Sequence, residues 1–118
     1  MPQANATMNI VKPNDHTNII EINGEITAYA ENALMEAYNS INLPEIRNII
    51  LDFTHMDYMN SSGIGLLITL LVRANRQGQK LFATGLNAHY RRIFELTRLN
   101  EAIGIYATET ETLAAVRV

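Results

Sequence analysis

The stretch Asp57-Tyr58-Met59-Asn60-Ser61-Ser62-Gly63-Ile64-Gly65 joins two apolar segments of different kinds. Upstream, residues 46 to 53 are apolar without alternation, with Ile49, Ile50 and Leu51 in succession, as in a strand covered on both faces. Downstream, an unusually apolar segment runs from Ser62 or Gly63 to about Gln77 and has the length of a helix. Two serines therefore fall on a strand-to-helix turn. The first backbone N–H groups of a helix lack intrahelical partners there, and the helix dipole favours negative charge. A serine at that point can cap the helix, and a phosphate is equally well received. Gly63 and Gly65 keep bulk away, so a partner can approach the serines closely.

Outward from this turn the pattern repeats. Leu81 to Thr84 predicts a strand, and Asn87 a cap for a helix carrying Tyr90, Ile93, Phe94 and Thr97. Ile103 to Tyr106 predicts another strand, with Thr108 and Glu111 at capping-box spacing before a last helix. Towards the N-terminus, Met8 to Val11 and Thr17 to Ile22 predict a hairpin around Lys12-Pro13-Asn14-Asp15. Asn23-Gly24 predicts a break, and Thr27 caps a helix from Ala28 to about Ser40. Tyr29, Met35 and Tyr38 are read as packing residues. From Ile46 onward the order is strand then helix, three times, the mark of a parallel sheet with crossover helices. The expected class is α/β: a mostly parallel sheet of four to five strands with an N-terminal hairpin and about four helices. Residues 1–7 are expected to form a flexible tail and residues 8–118 one domain.

Composition narrows the function. The chain has 118 residues, enough for one core, and a formal charge of −3, which argues against a nucleic-acid surface. Without cysteine there is no disulfide framework and no thiolate metal site. The polar N-terminus does not resemble a signal peptide, and the apolar run from Ile64 to Val72 is too short to cross a bilayer. A cytoplasmic protein without membrane insertion is expected. The nucleophile-elbow, Walker and dinucleotide-binding patterns are absent, as is paired metal-ligand spacing. His16, His55 and His89 belong to no motif, and His89-Tyr90-Arg91-Arg92 is expected to be the solvated face of its helix.

On the helical wheel Ile64, Leu67, Ile68, Leu71 and Asn75 share one face, the expected core stripe, while Leu66 lies opposite beside Arg73. Leu66 is therefore expected to be exposed, on a docking surface beyond Ser61. Helix capping alone is the plainer reading of Asn-Ser-Ser-Gly.

In this order and with this turn the chain resembles the STAS domain, and more narrowly the bacterial anti-sigma factor antagonists, over roughly residues 8 to 117. The resemblance is carried by Ile22-Asn23-Gly24-Glu25-Ile26, by Ile49-Ile50-Leu51-Asp52-Phe53, and by Tyr58 to Leu67, with Ala88 to Thr97 in support. It implies a partner switch in which an anti-sigma factor with Mg-ATP-dependent serine kinase activity phosphorylates Ser61. The unmodified antagonist binds that kinase and frees the sigma factor, and a metal-dependent serine phosphatase removes the mark. The implied protein is a ligand and substrate, not an enzyme, and carries no cofactor and no metal. Asn60, Ser61, Ser62, Gly63, Leu66, Gly24 and Glu25 are the expected partner-binding residues. Asn60 stands where the family often has Asp, and Gly24-Glu25-Ile26-Thr27 replaces its common Gly-Glu-Leu-Asp. A STAS scaffold subunit, or a module sensing a small ligand or nucleotide at the turn, is the alternative.

Overall fold

A computed structural model describes residues 5–116. Six strands and four α-helices follow the chain: β1 (Ala6–Asn14), β2 (Thr17–Ile26), α1 (Glu31–Ile41), β3 (Asn48–Asp52), β4 (Met56–Met59), α2 (Ser61–Arg76), β5 (Lys80–Thr84), α3 (Ala88–Leu96), β6 (Gly104–Tyr106) and α4 (Glu109–Ala115). The sheet runs β1-β2-β3-β5-β6, with β4 beside the upper part of β2. Only the β1–β2 hairpin is antiparallel. This is the expected mostly parallel sheet with a leading hairpin, enlarged by β4.

Burial explains the layers. All of β3 is buried, as its uninterrupted apolar run requires. On one face Ile20, Ile22, Ile49, Leu51, Leu81 and Ala83 join Leu34 and Tyr38 of α1, Leu67 and Leu70 of α2 and Phe94 of α3 in the main core. On the other face Ile19 and Ile50 lie under Val116 and Leu113, the apolar side of the α4 segment. Phe94 meets Phe53 edge-on, ring centroids 6.1 Å apart, and so fixes α3 against the end of β3.

Four local expectations are corrected. The chain is already a strand at Ala6 and Thr7, within the stretch expected to be tail; residues 1–4, like 117 and 118, lie outside the described residues. Asn23-Gly24 does not break β2. The strand passes through Gly24 at φ +90° and continues to Ile26, with a register shift against β4 after Gly24. A Cβ at Gly24 would collide with the Asn5 carbonyl oxygen, so the residue serves a close backbone approach within the sheet. Thr27 does cap, but it caps a 3-10 turn over Ala28–Ala30 that precedes α1. Tyr29, on that turn, is 59% exposed rather than packed.

Candidate functional site

The Ser61 turn is built from both ends. β4 pairs with β2 through Glu25↔Tyr58 and Ile26↔Met59, and Asn60 N–H donates to the Ile26 carbonyl at 3.3 Å. The Asn60 side-chain oxygen then accepts the Gly63 N–H at 3.0 Å, and Asn60 has the extended backbone of an N-cap. The cap is Asn60, so neither serine hydroxyl is needed for it. Ser61 is the first helical residue, and Ser61 and Ser62 are both exposed. A charge added at Ser61 would sit at the positive end of a 16-residue helix, beside a neutral capping amide.

Gly63 has the opposite character. It is buried, and a Cβ there would run into the Ile26 carbonyl oxygen and lie 2.7 Å from Met59 Cγ. It is the point at which α2 is pressed against β2, not part of an open surface. Gly65 is the glycine with open space around its Cα.

The phase of α2 also differs from the expected wheel. The buried residues are Gly63, Leu66, Leu67, Leu70 and Ala74, at spacings of three and four. Leu66 is 8% exposed and belongs to the core. Ile68, expected in the core, is 45% exposed, and Val72 is 43% exposed. The physical reason is that the apolar residues of α2 span more than half of the wheel, with Ser62, Thr69, Arg73 and Arg76 on the remainder, so the sequence leaves the rotation within that wide arc open. The contact of Gly63 with β2 decides it. Ser61, Gly65, Ile68 and Val72 consequently share the outward stripe, with Ile64 at its edge against the core.

Two further residues border the turn. Tyr58 is 48% exposed next to exposed Glu25, while half-buried Gly24 lies within the sheet between Ala6 of β1 and Met56 of β4. The sequence places Tyr90 both on the apolar spacing of its helix and in the solvated His89-Tyr90-Arg91-Arg92 cluster; the structure takes the first. Tyr90 is buried, not solvated like its neighbours His89, Arg91 and Arg92, and its hydroxyl accepts the Met59 N–H at 2.9 Å. A tyrosine among charged residues gives no sign of such a contact.

Comparison with known proteins bears on this geometry. The STAS domain model matches residues 8–112. The chain belongs to the STAS domain family. The anti-sigma-B factor antagonist of Listeria monocytogenes is 31% identical over 97 residues, covering 82% of this chain and 84% of that protein. Among solved structures, an anti-sigma factor antagonist from Mycobacterium paratuberculosis superposes with a TM-score of 0.78 at 21% identity, over 96% of this STAS chain and 95% of its own. The phosphorylated form of the Bacillus cell fate determinant SpoIIAA gives 0.73 at 20% identity, over 94% of this chain and all 100% of that one. These two likenesses are likenesses of fold. No helix among the described residues is long and apolar enough to cross a membrane.

Proposed function

We propose that this STAS protein is an anti-sigma factor antagonist whose binding is switched by phosphorylation of Ser61. The observation that carries the reading is an exposed Ser61 at the head of the outward α2 stripe with Ile68 and Val72. The Listeria relative, named an antagonist of an anti-sigma-B factor, supports it. In this reading the chain is not an enzyme. It is the ligand and the substrate of a Mg-ATP-dependent anti-sigma factor serine kinase in the cytoplasm, and a serine phosphatase resets it.

The docking surface would comprise Asn60, Ser61 and Ser62, the Ile68–Val72 ridge, and Glu25 beside Tyr58. Leu66 and Gly63 act beneath it, as core contacts that set the helix. A phosphate on Ser61 adds about −1.5 to −2 charge. The helix N-terminus and the neutral Asn60 accept that charge locally, so α2 stays folded. Binding is lost because a partner fitted to an apolar ridge would have to desolvate the new charge.

The test is modification by the kinase recovered on unphosphorylated protein from native cell extract. With Mg-ATP it should add one phosphate, mapped to Ser61, and Ser61→Asp bait should not recover the kinase. Modification that persists in Ser61→Ala and maps to Ser62 would reject the assignment.

A further inference from the structure

On the sheet face opposite α2, three carboxylates far apart in the sequence converge. Oxygen atoms of Glu21 (β2), Asp52 (β3) and Glu109 (first residue of α4) all lie within 4.8 Å of one another. Strand register puts them in one row: Glu21 is paired with Asp52, and Asp52 with Thr84 of β5, so these side chains share one face. A cluster of acids is common on protein surfaces, but Thr84 is a separate observation. It is 1% exposed, and its hydroxyl has no hydrogen-bond partner among the described residues. Buried polar atoms are rarely left unpaired; the other two here, Thr17 Oγ1 and Asn48 Nδ2, lie together at the start of β2 and β3, and Thr84 is the one beside the cluster.

We propose that Glu21, Asp52 and Glu109, with the Thr84 hydroxyl, form a binding site for a hard divalent cation of calcium size. All the donors are oxygens, the class that selects such ions. Calcium is held by roughly six to eight oxygens, several of them from protein, whereas magnesium dehydrates reluctantly and is usually held through one or two carboxylates. Three carboxylates and a hydroxyl drawn from one chain suit calcium. Asp52 is already oriented: its Oδ1 accepts the Thr54 N–H at 3.0 Å and the Thr54 hydroxyl at 2.6 Å, leaving Oδ2 available. Glu21 and Glu109 are half-buried, so water can complete the coordination shell. Burial and the neighbouring Asp52 and Glu21 raise the Glu109 pKa, the crowding that a bound cation would relieve. The ion would tie α4, held otherwise by Leu113 and Val116, to the middle of β2 and the end of β3. This site is independent of the Ser61 reading.

The experiment uses the full chain, stripped with chelator and dialysed, titrated with calcium or magnesium chloride by calorimetry at constant ionic strength. Calcium should bind at one site with a Kd on the order of 10⁻⁴ M, magnesium at least about tenfold more weakly. Calcium should also raise the melting temperature in a saturable way. Glu21→Gln and Glu109→Gln, both near the surface and so expected to fold, should each weaken calcium binding by about tenfold as ligand charge is lost. Thr84→Val, which keeps the side-chain shape, should weaken it less. No saturable heat up to about 10 mM calcium, tighter binding of magnesium than calcium, or unchanged affinity in the Glu21→Gln/Glu109→Gln double variant would each overturn the proposal.

Discussion

The Tyr90 hydroxyl accepts the backbone N–H of Met59 at 2.9 Å, so a residue of α3 holds the strand that leads into the Ser61 turn. Both residues are buried, Tyr90 at 6% and Met59 at 4% exposure, and water cannot readily replace the bond. Tyr90→Phe keeps the ring and removes the acceptor. Leaving a buried N–H unpaired costs about 1–3 kcal/mol. The variant should lose stability in that range in urea unfolding, with amide exchange accelerated at Met59. A loss below about 0.5 kcal/mol, the scatter of surface substitutions, would show that this contact does not hold β4.

Leu66 and Ile68 exchange the roles that the helical wheel assigns them. Truncating a buried leucine costs roughly 2–5 kcal/mol, so Leu66→Ala should shift the urea midpoint strongly. Ile68→Ala and Val72→Ala should leave stability within about 0.5 kcal/mol. If the outward stripe docks the kinase, each should instead lose about 1 kcal/mol or more of binding, roughly fivefold in affinity. Unchanged binding in both surface variants would remove the stripe from the interface.

The two glycines at the start of α2 respond oppositely to the same methyl group. At Gly65 the space is open, and replacing glycine by alanine inside a helix stabilises by about 0.5–1 kcal/mol. At Gly63 the methyl meets the Ile26 carbonyl oxygen and Met59 Cγ, and overpacking of this kind costs roughly 1–3 kcal/mol. Thermal melts of Gly65→Ala and Gly63→Ala should move in opposite directions. A Gly63→Ala protein as stable as the parent would mean that α2 does not press on β2 as closely as described.

Glu109 predicts a pH dependence whose sign can be worked out. Burial first, then Asp52 and Glu21, raise its pKa, so together they outweigh the favourable helix N-terminus. A carboxyl that binds its proton more tightly when folded penalises the folded state above its folded pKa. The penalty is relieved as pH falls through that pKa towards the unfolded value. In chelator, Glu109→Gln should therefore be slightly more stable than the parent at neutral pH. The advantage should shrink as the solution is acidified. An advantage that grows on acidification would contradict the crowding of the three carboxylates.

Much of the architecture is legible in the order of residues because it depends on local signals. The run Ile49-Ile50-Leu51 reads as a strand buried on both faces and is one, and Asn87 and Thr108 cap their helices through their own side chains, as their positions suggest. The exposed strand-to-helix turn at Ser61 is likewise a local event, set by Asn60 and the apolar helix behind it. β4 was hidden because four residues with polar Asp57 and exposed Tyr58 carry little strand signal. They become a strand only by pairing with the end of β2. The rotation of α2 was hidden for a different reason. A helix whose apolar arc is wider than the face it can bury has no single inward direction until something outside it supplies one. Gly63 against the Ile26 carbonyl does so, and turns Leu66 inward and Ile68 out. The same holds for Tyr90 on Met59 and for Glu21, Asp52 and Glu109. Such contacts join residues distant in the chain, and no periodicity or spacing along it records them; only the packing of α3 and α4 on the sheet brings them together.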